Sequence, residues 1–123
     1  MLHFGGAAPA DFQPAWQGYS VAQWAGVNMG RAGRTPGPNG NLGVVTTKMK
    51  AGYLRKNGVP YSENAVMTEH WDLYRRPNGE EWLTITTQVD DPQFLTNARL
   101  TAPIFRKERD GSKWDPTPCS ARW

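Results

Sequence analysis

From Val66 onward the chain alternates apolar and polar residues with a period of two, the pattern of half-buried strands. In Met67-Thr68-Glu69-His70-Trp71-Asp72-Leu73 and in Leu83-Thr84-Ile85-Thr86-Thr87-Gln88-Val89 the apolar side chains occupy every second position, with Glu69 and Thr87 as the interruptions. Between the runs stands Arg76-Pro77-Asn78-Gly79. It puts proline where a type I turn favours it, then glycine where a three-residue hairpin loop takes a left-handed residue. Pairing Arg76 with Glu80 sets Met67, Glu69, Trp71 and Leu73 opposite Val89, Thr87, Ile85 and Leu83 on one face. Thr68, His70, Asp72 and Tyr74 then meet Gln88, Thr86, Thr84 and Trp82 on the other. A slip by one residue would mix the two sets, so turn chemistry and binary pattern agree.

The remaining strands are predicted at Tyr19–Trp24, at the β-branched run Leu42–Met49, and at Ala98–Lys107. Residues 51–58 (AGYLRKNG) predict one or two helical turns, ended by Gly58 as a left-handed cap and by Pro60. Residues 1–18, with Gly5, Gly6, Pro9 and Pro14, predict irregular chain anchored by Phe4, Phe12 and Trp16. Residues 28–41 are too rich in glycine and proline for an element interior and predict a long loop. Turns are expected at Asp90-Asp91-Pro92 and Asp110-Gly111. The expected fold is mainly β, an antiparallel meander or partial lipocalin-like barrel with one short helical segment. It comprises the irregular segment 1–18 and a single antiparallel domain over 19–123. Too few strands are predicted for a barrel to close on itself.

The totals narrow the function classes. A chain of 123 residues with 38% hydrophobic content holds a modest core, and no apolar run approaches the roughly 18 residues of a transmembrane helix. Met1–Ala10 lacks the basic start and apolar centre of a signal peptide, so no export signal is expected there, and a mature form or an excised domain of an exported protein stays open. The net charge of +3 is uneven: residues 1–62 hold six basic groups against Asp11, and residues 63–123 hold eight basic against ten acidic. Basic charge spread so thinly makes no patch for nucleic acid, and a small anion or plain solubility explains it better. Cys119 is the single cysteine, which excludes an internal disulfide and reads as a free surface thiol.

Histidine and acid chemistry is sparse. His70 and Asp72 share the polar face beside Thr84 and Thr86, where solvated decoration is the simpler reading. A metal centre would need more ligands, and the other histidine, His3, lies in the irregular N-terminal part. No metal site or cofactor is therefore expected, and no nucleophile is paired with a base. Glu69 is the exception, because it falls on the apolar face, where a carboxylate gives up hydration and needs donors or a cation. Thr87 and Arg55 are its expected partners. Six tryptophans are several times ordinary usage and suit a pocket for an apolar or aromatic molecule. The candidate ligand-binding residues are Glu69, Trp71, Tyr53, Arg55, Thr87 and Met67.

The run GVVTTKMKAGYLRKNGVPYSENAVMTEHWD, followed by VDDPQFL, resembles a group of exported bacterial proteins of unestablished activity. The shared positions are Thr46, Thr47, Lys50, Gly52, Tyr53, Arg55, Lys56, Asn57, Gly58, Pro60, Ser62, Thr68, Glu69, Asp91 and Pro92. The likeness extends from about Trp16 to Cys119 and is most specific over 43–95. It implies a periplasmic or secreted β-rich domain, often the later part of a longer chain. Two departures from the group are expected: residues 1–18 do not read as its export signal and upstream segment, and loop 28–41 replaces a tighter connection.

Three functions compete on this reading. The first is a small-molecule-binding domain. The second is an accessory subunit of a larger, membrane-associated assembly, docked on a protein partner or second copy through segments 1–18 and 28–41. The third is a small hydrolase or isomerase using Glu69 with Tyr53 or Arg55. What surrounds Glu69 discriminates them.

Overall fold

The hairpin adopts the register that its turn dictates. The strands Val66–Arg75 and Glu81–Asp90 pair antiparallel, with Trp71 opposite Ile85, Glu69 opposite Thr87 and Tyr74 opposite Trp82. The Arg76 N–H donates to the Glu80 carbonyl at 2.8 Å, and Gly79 takes a φ of 84°. Only glycine holds that backbone without strain, which is why the loop closes here.

The computed structural model describes residues 1–25, 41–55 and 58–114. Nine strands run along them: β1 Leu2–Phe4, β2 Tyr19–Ala25, β3 Asn41–Thr47, β4 Gly52–Arg55, β5 Val59–Tyr61, β6 Val66–Arg75, β7 Glu81–Asp90, β8 Arg99–Thr101 and β9 Ile104–Arg106. Seven form one open sheet in the order β1-β2-β3-β6-β7-β8, with β9 also pairing β7. All neighbours are antiparallel except β1, which lies parallel to β2. The protein is thus mainly β and meander-like. The sheet does not close, so of the two expected forms the antiparallel meander is the one the fold fits.

Other expectations are corrected as well. No helix occurs among the described residues. The segment expected to turn helically is the hairpin β4–β5, a separate two-stranded sheet in which Tyr53 pairs with Pro60 and Arg55 with Val59. Gly58 does take a left-handed φ of 86°, but as a hairpin-loop residue whose N–H donates to the Arg55 carbonyl. The N-terminal part is not wholly irregular, since β1 adds an edge to the sheet. Nor is Trp16 an anchor: it is mostly exposed, with the Lys50 ammonium 5.5 Å from its ring. The single last strand is two, β8 and β9, parted at Ala102-Pro103. Most of the expected loop 28–41, together with Lys56, Asn57 and Cys119, lies outside the described residues.

The registers sort the apolar face of the sheet into five rows across the strands. Leu2, Ser20, Thr46, Met67, Val89 and Arg99 form the first, and Phe4, Ala22, Val44, Glu69, Thr87 and Thr101 the second. Trp24, Leu42, Trp71 and Ile85 form the third, continued by Pro103, whose carbonyl accepts from the Ile85 N–H. Leu73, Leu83 and Phe105 form the fourth, and Arg75 and Glu81 begin the fifth. Lys107 completes it, its N–H bonded to the Glu81 carbonyl.

The first row is closed. Met49, Ala65 and Val89 are buried together there, packed by Met67, by Leu54 and Tyr61 from the β4–β5 hairpin, and by Leu95. A buried carboxylate fastens this end. Asp91 accepts the Ser62 hydroxyl at 2.9 Å, the Ser62 N–H, and the Gln93 N–H at 2.9 Å. Burial pushes the Asp91 carboxyl up, but donors from Ser62, Gln93 and Phe94 outweigh it and hold it below the usual range. A second cluster, Ala22, Leu42 and Val44 with Leu2 and Trp71, fills the middle of the face.

Candidate binding face

The apolar face opens to solvent at its β1–β2 side and again in its fourth row. Phe4 is 59% exposed, Trp24 46%, Leu73 60% and Phe105 49%. Strand alternation sends these side chains to the same side as the fully buried Val44. What changes along the face is the cover: Leu54 and Tyr61 of β4–β5 pack against the Met49–Ala65–Val89 cluster at the first row. Exposed apolar groups that share a face form two sets, Phe4 with Trp24 and Leu73 with Phe105, and such sets, unlike single residues, mark interaction sites. Phe4 and Trp24 already stack, with ring centroids 6.3 Å apart.

Glu69 lies in the second row, half-buried, between the closed and open ends. The Thr87 hydroxyl donates to its Oε1 at 3.4 Å, so the expected Thr87 partnership holds in long form. No Arg55–Glu69 ion pair occurs among the described residues. Tyr53 is 72% exposed and Arg55 is exposed, both on the β4–β5 hairpin. The structure therefore brings Glu69, Thr87, Trp71 and Met67 onto contiguous rows of one face and leaves Tyr53 and Arg55 apart from them. The Trp71 indole N–H is buried without an acceptor among the described residues, a donor whose neglect costs about 1–3 kcal/mol.

The fifth row ends the face with charge. Arg75 donates to Glu81 Oε1 at 2.6 Å and Lys107 to Oε2 at 2.5 Å. Bonds from Lys107 first and Arg75 second hold the Glu81 carboxyl at about 2, so it stays ionised at any ordinary pH. Sequence reading missed this triad. Its Arg75–Glu81 half follows from the hairpin register, but Lys107 joins only through β9, whose alignment no turn motif announces. Glu81 and Lys107 also line a polar cavity of about 610 Å³ between the hairpin tip and the segment after β9, together with Glu80, Arg106, Glu108 and Asp110.

The polar face carries His70 and Asp72 opposite Thr86 and Thr84, as the pattern implies. Tyr74 and Trp82 are neighbours there. The Arg76 guanidinium sits 4.4 Å over the Trp82 ring, and the Trp82 indole donates to Glu80 at 3.1 Å. No group of three or more metal-ligating side chains gathers among the described residues, and no helix there is long and apolar enough to cross a membrane. Searches of protein-family models, curated proteins and solved structures find no match to this chain.

Proposed function

We propose that this chain is a binding domain that takes an apolar or aromatic small molecule on the open rows of its sheet. The observation that carries the reading is that Leu73 and Phe105, in one row either side of Leu83, are each about half exposed on the face whose other end is sealed, with Trp24 half exposed farther along the same face. Trp71 and Ile85 lie among them as the floor, and Glu69 with Thr87 supplies the polar groups that orient a ligand. The resemblance of residues 43–95 to exported bacterial proteins adds a periplasmic or secreted location.

The enzyme reading draws little from these surroundings, because Tyr53 and Arg55 stand on a separate hairpin. The accessory-subunit reading rests on a different observation: Leu100 and Ile104 are also exposed, along the β8–β9 edge of the sheet. A partner chain laid on that edge would bury them, whereas a ligand on the open rows would not.

Titration with the neutral dye N-phenylnaphthylamine tests the ligand reading. Saturable enhancement of dye emission is expected, and the paired change Leu73→Ser with Phe105→Ser should weaken it by roughly tenfold, the value of two apolar contacts. Binding that survives this pair and falls instead with Leu100→Ser and Ile104→Ser moves the site to the edge and favours the subunit.

A further inference from the structure

The open rows are not uniform along the strand direction. At their inner border stand Glu69 and Thr87, and at their outer border stand Arg75, Glu81 and Lys107. Successive rows lie roughly 7 Å apart, so the third and fourth rows offer an apolar strip about 14 Å long between an anionic border and a cationic one. Within the fifth row two cations share one carboxylate, an excess of one positive charge, while the adjoining cavity sets Arg106 and Arg109 against Glu80, Glu108 and Asp110. Arg75 and Lys107 are both 70% exposed at the side chain, yet each is fixed by its bond to Glu81. Each spends one donor in that bond, leaving the guanidinium and ammonium with further N–H groups for an incoming anion.

We propose that the ligand of this face is a single-chain anionic amphiphile, its apolar body along Trp71, Ile85, Leu73 and Leu83 on β6 and β7 and its carboxylate head at Arg75 and Lys107. The inference rests on the binding reading above and adds the ligand's polarity and direction. Complementary charge sets that direction: Glu69 repels an anionic head from the inner border, and the excess cation attracts it to the outer one. An amphiphile with a cationic head meets the reverse field and has to turn round, losing the triad.

Calorimetric titration of the full chain with decanoate, decanol and decyltrimethylammonium, each below its micellar concentration, tests this. Decanoate should bind roughly tenfold tighter than decanol, about one charge-assisted hydrogen bond, and the cationic probe more weakly than either. Glu81→Gln, which frees both cations, should tighten decanoate several-fold. Arg75→Gln with Lys107→Gln should bring decanoate to the affinity of decanol and leave decanol unchanged. Circular dichroism establishes that each variant is folded. Equal affinity for all three probes, or decanoate binding indifferent to the paired variant, overturns the head-group assignment while the apolar site stands. Failure of decanol to bind removes the site itself. Sedimentation with phosphatidylglycerol vesicles in the absence of decanoate binding overturns the proposal in favour of a lipid surface.

Discussion

The two ends of the apolar face are built from the same strands and the same alternation, yet one is sealed and the other is not. At the sealed end a hairpin, two turns and the Asp91 knot bury Met49, Ala65 and Val89. At the open end Leu73 on β6 and Phe105 on β9 flank Leu83 of β7 in one row and remain about half exposed. Period two decides which way a side chain points, and the chain folded over it decides whether it is buried. Stability should therefore concentrate at the sealed end and binding at the open one.

The hardest test of that division is Asp91→Ala. It strands three backbone N–H groups and the Ser62 hydroxyl in a buried site, and should cost about 3–5 kcal/mol in urea melts, with the dye site intact wherever the variant folds. Acid probes the same bonds. The folded-state carboxyl titrates below its ordinary value of 3.8, so the unfolded chain binds the proton first as pH falls. Its stabilisation is complete above that value and is lost as pH drops through the folded pKa. Asp91→Asn should flatten the acid limb of a stability–pH curve. A limb unchanged in that variant would place the acid-sensitive group elsewhere.

A smaller contrast compares apolar truncations. Met49→Ala should cost about 2–4 kcal/mol because its site is closed, and Leu73→Ala under about 1 kcal/mol because its site is not. Equal losses in thermal or urea melts would mean that the open rows are covered in solution. The smallest effect belongs to the two hairpin loops. Gly58→Ala and Gly79→Ala each force a left-handed alanine into open space and should cost about 1 kcal/mol, measurable as a modest drop in the urea midpoint.

Those two loops also show what a sequence discloses. Arg55-Lys56-Asn57-Gly58-Val59 and Arg76-Pro77-Asn78-Gly79-Glu80 are spelled alike, and in both the glycine N–H donates to the arginine carbonyl. The second was legible because ten-residue strands on each side repeat the alternation. The first was not, because strands of four and three residues carry no period, and Pro60 inside β5 argues against a strand. Strand β1 was hidden for a related reason: a parallel edge of three residues needs no adjacent turn to announce it. In the candidate site, the facing of Glu69, Trp71 and Thr87 could be read from pattern, whereas the exposure of Leu73 and the arrival of Lys107 depend on distant chain.

The Asn78-Gly79 loop also sets a chemical clock. Attack of the Gly79 nitrogen on the Asn78 side-chain amide expels ammonia to give a succinimide, which water opens to isoaspartate, adding a backbone atom to the loop. In the folded chain that nitrogen is engaged with the Arg76 carbonyl at 2.9 Å, and the Asn78 Oδ1 accepts the Glu80 N–H at 3.1 Å. Ageing at this position should be slow while the hairpin stays closed and quicken whenever it frays, so the isoaspartate content of a stored sample records how often the tip has opened.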